Sequence, residues 1–157
     1  MAKLLTPDGV EIDYVTRGQG KPILFIHGWP CSQRVWDCQL HALQDRYQCV
    51  ALDLRGMGHS EKADCAYTFE EFAADIRHLI KTLDLQDVTL VGWSMGVSVT
   101  LEYMANYQDD NDVSRIVLIN GPIKLISSED WPYGIEKEEC MQYINSLVED
   151  PVNGRRN

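Results

Sequence analysis

Four short apolar runs are separated by longer segments with helical periodicity along most of the chain. Apolar runs of this length, without polar alternation, are typical of strands buried on both faces, as in a parallel sheet. Two more strands are predicted within residues 3–17, on either side of the turn signal Pro7-Asp8-Gly9. The four apolar runs are residues 23–26, 49–52, 88–91 and 116–119.

The segments between these runs predict helices. Residues 32–45 carry apolar side chains at helical spacing after Ser32, a residue type that favours the N-cap position. Thr68, followed three residues later by Glu71, has the pattern of a capping box before a second helix. Residues 95–106 contain one charged residue, Glu102, and predict a buried helix. Alternating strands and helices indicate the α/β class, with a mostly parallel sheet and helices on both faces.

Composition narrows the range of partners and compartments. The 157 residues are 45% hydrophobic and 24% charged, which is typical of a soluble globular chain. A formal net charge of −10 disfavours nucleic acids and anionic membrane surfaces, since a negative field repels both. The odd cysteine count and the absence of a CxxC pair favour free thiols in a reducing compartment. With no apolar leader at the N-terminus and no run of about 18 apolar residues, a cytoplasmic location is expected.

The strongest chemical signal is the pentapeptide Gly92-Trp93-Ser94-Met95-Gly96, which reads G-x-S-x-G. It lies between a predicted buried strand and a predicted buried helix, the context that a nucleophile elbow requires. Glycines two residues before and after the serine leave room for a sharp turn. Ser94 is therefore the candidate nucleophile, with the positive end of the following helix directed at its oxygen.

A second signal is His27-Gly28-Trp29-Pro30, directly after the strand at residues 23–26. An oxyanion needs two backbone donors, and the N–H groups of Trp29 and Met95 are the natural pair. His27 is interpreted as packing beneath this loop rather than taking part in catalysis.

Together with the sequence DLRGMGHS at residues 53–60, these motifs resemble the α/β-hydrolase fold superfamily. The chain is most similar to the small carboxylesterases, the cofactor-free haloperoxidase-like esterases and the pimeloyl-thioester esterases of biotin synthesis. The resemblance covers about residues 10–150. Related dehalogenases and epoxide hydrolases have an aspartate at the elbow, so Ser94 argues against both activities.

The resemblance implies hydrolysis of a small-molecule carboxylic ester or thioester by acyl transfer through Ser94, with no metal and no organic cofactor. It also implies structural roles for the DLRGMGHS loop. Gly56 and Gly58 would allow the turn, Asp53 and Arg55 would tie neighbouring loops together, and His59 would be a loop residue.

The superfamily orders its triad as serine, then an acid, then histidine. All four histidines of this chain precede Ser94, and Asn120 stands where some members carry the acid. The superfamily sheet has about eight strands, whereas about six are predicted here. The expected organisation is therefore an incomplete hydrolase core at residues 1–125, followed by the start of a helical cap at residues 126–157.

An incomplete triad leaves three hypotheses open. In the first, the chain is the N-terminal part of a serine esterase and is nearly inactive alone. In the second, it is a non-catalytic remnant that is inert or binds a partner through its open edge strand. In the third, a second chain supplies the acid and the base. Self-association through the exposed sheet edge is a further expectation.

Overall fold

The computed structural model describes residues 2–149, and the six strands among them form one sheet. Two short 3₁₀ turns are also present among these residues. Gln33–Trp36 leads into the first α-helix, and Gln108–Asp110 follows the third α-helix. The strands are β1 (Ala2–Leu5), β2 (Glu11–Arg17), β3 (Lys21–Ile26), β4 (Tyr47–Leu52), β5 (Val88–Trp93) and β6 (Val113–Ile119). The helices are α1 (Asp37–Leu43), α2 (Phe69–Thr82), α3 (Met95–Tyr107) and α4 (Lys137–Glu149).

The strand order in the sheet is β1-β2-β4-β3-β5-β6. The predicted hairpin is present, with β1 antiparallel to β2, and β2 is also antiparallel to β4. The pairs β3–β4, β3–β5 and β5–β6 are parallel. This arrangement confirms the predicted α/β class and brings the carboxyl ends of β3, β4 and β5 to one edge of the sheet.

Helices cover both faces of the sheet, as the unalternated apolar runs predict. Leu24 and Ile26 of β3 point to the face that packs against α2 and α3, while Phe25 points to the face that packs against α1. Because β3 has apolar residues on either face, its burial on both sides follows from its sequence, whereas β6, with the same kind of apolar run, is largely exposed.

Two predicted helix starts differ in how they are capped. The Thr68 hydroxyl accepts a hydrogen bond from the Glu71 N–H at 3.3 Å, as the capping box predicts. Ser32 makes no side-chain cap, and its helix opens as a 3₁₀ turn. The Gln33 N–H donates instead to Oδ1 of Asp53 at 2.6 Å, a partner that is distant in the sequence.

The chain divides into two compact units, Met1–Gly121 and Pro122–Asn157. In the second unit, an isolated bridge joins Ile126 to Ile135, and α4 follows. All five cysteines are free thiols, as expected. Within residues 2–149, no helix combines the length and the hydropathy that crossing a bilayer requires.

Candidate active site

Ser94 occupies a strained turn between β5 and α3. Its backbone has φ 54° and ψ −121°, a conformation that side-chain-bearing residues rarely adopt. The Ser94 N–H donates to the carbonyl of Ile119 at the end of β6 (3.1 Å), and its own carbonyl accepts from the Val97 N–H (2.9 Å). Strain of this kind persists only where the surrounding structure holds it, and it is frequent at functional sites.

Glycines make room for this turn. A Cβ on Gly92 would lie 2.3 Å from the carbonyl oxygen of Gly96, and one on Gly96 would lie 2.4 Å from the carbonyl oxygen of Ile26. Both contacts are with backbone atoms, which cannot shift without distorting the sheet or the helix. The two glycines of the pentapeptide therefore stand where a side chain would collide with the elbow.

Sequence reasoning missed two further glycines at the site. A Cβ on Gly28 would lie 2.7 Å from the Cβ of Ser94 and 3.2 Å from its Oγ. A Cβ on Gly121 would lie 2.2 Å from the Ser94 carbonyl oxygen. Their position at the ends of β3 and β6 was the available signal, because parallel strand ends meet at one edge.

The two residues expected to donate to an oxyanion flank the serine. Met95 is the first residue of α3, and Trp29 directly follows Gly28, whose backbone packs against the Ser94 side chain. Trp29 and Met95 also line the same cleft. The N-terminus of a 13-residue helix adds a positive potential at this point.

His27 is buried, and both of its ring nitrogens bond to the backbone. Nε2 accepts from the Leu54 N–H at 3.1 Å, so Nδ1 carries the proton and donates to the Gly28 carbonyl at 2.8 Å. Burial lowers the pKa of His27 below its ordinary value. This neutral imidazole holds the ends of β3 and β4 together and is committed to that structural role.

The other three histidines also contact partners other than Ser94. Nδ1 of His41 lies 3.1 Å from Nε2 of Gln44, and Nε2 of His78 lies 3.1 Å from the carbonyl oxygen of Leu5. Nδ1 of His59 lies 3.6 Å from Oδ2 of Asp53. Within residues 2–149, none of the four histidines forms a hydrogen bond with Ser94.

Asp53 organises the loop after β4. Its buried carboxylate accepts from the backbone N–H of Gln33 at 2.6 Å and from that of His59 at 2.7 Å. Its backbone carbonyl accepts from the Ser60 hydroxyl at 2.6 Å. These bonds tie the loop after β4 to the loop after β3, on which Trp29 lies.

Arg55, from the same loop, is buried among carboxylates. Its guanidinium makes a two-point pair with Asp75 at 2.7 and 2.6 Å and a further bond to Asp8 at 2.9 Å. Glu71 lies 3.3 Å away. The hydrogen bonds to Asp75 raise the pKa of Arg55, so this side chain remains a cation that is already paired.

Within the part of the chain that the structure describes, Asp13, Asp53 and His59 form a group that could hold a metal ion, with one potential ligand atom from each within 4.8 Å of the others. Both carboxylates already accept protein hydrogen bonds, since Asp13 takes a bond from Nε2 of Gln33 at 2.8 Å and Asp53 is occupied as described above. The hydrogen bonds to these two carboxylates hold the loops together, which explains why the three side chains lie close to one another.

Comparison with known proteins agrees with this geometry. The chain is 42% identical over 134 residues to the non-heme chloroperoxidase CPO-A1 of Kitasatospora aureofaciens. This match covers 85% of this chain and 49% of that protein. An esterase from Exiguobacterium antarcticum superposes with a TM-score of 0.91 at 30% identity, covering 97% of this chain and 57% of that chain. A bromoperoxidase from Bacillus anthracis superposes with a TM-score of 0.87 at 32% identity, and the match covers 96% of this chain and 56% of that chain.

The chain therefore spans about half the length of the relatives that it matches. A family profile described as the alpha/beta hydrolase fold matches residues 21–143, which include the elbow, the Trp29 loop and the Asp53 loop. With the sheet order, the strained serine and these similarities in agreement, the chain belongs to the α/β hydrolase family.

Proposed function

We propose that this protein belongs to the serine hydrolases and that Ser94 is the nucleophile in acyl transfer from a carboxylic ester or thioester. The observation that carries the proposal is the backbone of Ser94, with φ 54° at the junction of β5 and α3. A serine in this position presents Oγ at the end of the sheet and at the positive end of a helix.

The proposed reaction begins with attack of Ser94 Oγ on the carbonyl carbon. The N–H groups of Trp29 and Met95 stabilise the tetrahedral oxyanion, the alcohol or thiol leaves, and water releases the acyl group from the serine. A base must remove the hydroxyl proton, and no histidine of the described residues hydrogen-bonds to Ser94. We therefore expect little turnover from these 157 residues alone.

The second candidate is a hydrolase-like protein without catalysis, and the placement of the histidines favours it. Both candidates share the fold and the elbow. They differ in whether Ser94 reacts when a base is supplied.

Imidazole can supply that base from solution, which gives a direct test. We expect imidazole to raise the rate of 4-nitrophenyl acetate hydrolysis by wild-type protein on the order of ten-fold above the background with Ser94→Ala. Ser114→Ala, which removes a serine on β6, is the matched control and is expected to behave as wild type. Equal imidazole-dependent rates for wild type and Ser94→Ala would favour the non-catalytic candidate.

A further inference from the structure

A cleft of about 640 Å³ within the first unit is lined by Met95, the residue that follows the proposed nucleophile, and by Trp29. Three aromatic rings stand at its wall while remaining substantially exposed: Trp29 at 44%, Tyr67 at 45% and Phe69 at 40%. Exposed rings gathered around a concavity of this size are typical of a ligand site. Met57, Phe72 and Met95 complete the apolar part of the lining.

Arg55 is the one cationic residue among the described lining residues, and its charge is already neutralised. It is 1% exposed and paired with Asp75, Asp8 and Glu71. Moving this guanidinium to a ligand would leave the buried Asp75 carboxylate without its partner, which is costly. Arg55 is therefore a poor receptor for a ligand carboxylate.

The side-chain hydroxyl groups of the wall are already hydrogen-bonded. The Tyr67 hydroxyl donates to the Ala63 carbonyl, and the Thr68 hydroxyl accepts from the Glu71 N–H and hydrogen-bonds to the Glu70 carboxylate. Glu70 adds a negative charge at the wall. A ligand carboxylate would therefore lose its hydration in this cleft, gain no cationic partner, and face a like charge.

We propose that this cleft binds the acyl group of the substrate and selects uncharged, apolar acyl groups over those that end in a carboxylate. The proposal rests on the proposed function, because it takes Ser94 and the neighbouring N–H groups as the place where the acyl carbonyl binds. Its specificity follows from the aromatic wall, the neutralised Arg55 and the charge of Glu70.

Equilibrium binding tests the cleft without requiring turnover. Hexanamide and adipamic acid, the hexanamide analogue with a terminal carboxylate, are titrated at neutral pH into protein with ¹³C-labelled methionine methyl groups. Met57 and Met95 line the cleft, whereas Met104 and Met141 are not among its lining residues and serve as internal references. We expect hexanamide to shift the Met57 and Met95 signals saturably and adipamate to bind at least about ten-fold more weakly, a difference of about 1.4 kcal/mol.

Two variants assign the effect to the cleft wall. Phe69→Lys is expected to weaken hexanamide binding at least about ten-fold, whereas Val35→Lys, at a comparably exposed position outside the cleft lining, is expected to leave it unchanged. Glu70→Gln is expected to strengthen adipamate binding a few-fold and thereby to narrow the ratio between the two affinities. Equal affinities for the two ligands, or the absence of shifts at both Met57 and Met95, would overturn the proposal.

The result is separable from the test of Ser94. Hexanamide binding that persists in Ser94→Ala supports the cleft even if imidazole gives no Ser94-dependent hydrolysis. Ser94-dependent hydrolysis without hexanamide binding supports acyl transfer and refutes this assignment of the cleft.

Discussion

At the scale of single residues, Ser94 sets the character of the site. Its φ of 54° is unfavourable for any residue with a Cβ, and the hydrogen bonds from its N–H to Ile119 and from Val97 to its carbonyl hold it there. This strained backbone lowers the free energy of unfolding relative to a glycine at the same position. This gives the elbow a signature that can be measured independently of activity.

Replacing Ser94 by alanine retains the strain, whereas replacing it by glycine relieves it. We expect Ser94→Gly to have the higher free energy of unfolding, by about 1 kcal/mol over Ser94→Ala. Urea denaturation of both variants measures the difference. If Ser94→Ala instead has the higher free energy of unfolding, the backbone at residue 94 is not strained.

His27 makes stability depend on pH. Because burial lowers its pKa in the folded state, the unfolded chain takes up the proton first as the pH falls below the ordinary value of 6.5. The contribution of His27 to stability is therefore complete above that pH and is lost as the pH falls toward its lower folded-state pKa, by at most about 1.4 kcal/mol per pH unit.

The variant His27→Gln keeps a donor and an acceptor but does not titrate. Urea denaturation of both proteins at about pH 7.5 and about pH 5.5 compares them across the region where unfolded histidine titrates. Wild type is expected to lose more of its unfolding free energy than His27→Gln over this range. Equal losses would mean that His27 titrates alike in the folded and unfolded states.

Residue by residue, local motifs were readable from the sequence and distant contacts were not. Ser94, Gly92 and Gly96 follow from a five-residue pattern whose spacing is dictated by one turn. Gly28 and Gly121 pack against that turn from other strands, so only the assembled sheet reveals their role. The predicted oxyanion donors, Trp29 and Met95, remain a proposal.

At the scale of elements, β6 differs from the other parallel strands. It is the terminal strand in the sheet order, and four of its five apolar residues, Ile116 to Ile119, are 38–43% exposed. The unalternated apolar pattern predicted a strand buried on both faces, and this prediction was wrong for β6, because no further strand pairs with it among the described residues. We propose that this apolar edge strand is the contact through which the protein self-associates.

We expect Val117→Lys to reduce self-association of the protein, because a charged side chain on the edge strand opposes pairing. Sedimentation velocity across a range of concentrations measures the effect. The unfolding free energy is expected to change by no more than about 0.5 kcal/mol, since Val117 is already 43% exposed. Val35→Lys, which alters a valine that is 41% exposed elsewhere, is the control, and an equal effect there would argue against β6 as the contact.

Helix starts show the limit of prediction at this scale. Thr68 caps α2 through a residue three positions away, so the pattern is contained in the sequence. The start at Ser32 is decided by the Asp53 carboxylate, which takes the Gln33 N–H. Asp53 follows β4, which is distant in the sequence, so the local periodicity around Ser32 could not predict this contact.

At the scale of the whole molecule, the chain belongs to the α/β hydrolase family, carries a strained serine between β5 and α3, and spans about half the length of its relatives. The fold class was predictable because each strand and helix carries its own pattern of burial. The source of the base was not predictable, since within the described residues the four histidines contact groups other than the Ser94 hydroxyl. The central claim is therefore that Ser94 is built to react and requires a base.

The most direct test is exposure of the folded protein to a fluorophosphonate ester, with and without imidazole, followed by intact mass and peptide mapping. The account predicts a single adduct, on the peptide containing Ser94, that forms when imidazole is present and is lost in Ser94→Ala. An adduct on another residue, or labelling undiminished by Ser94→Ala, would contradict the assignment of Ser94 as the nucleophile.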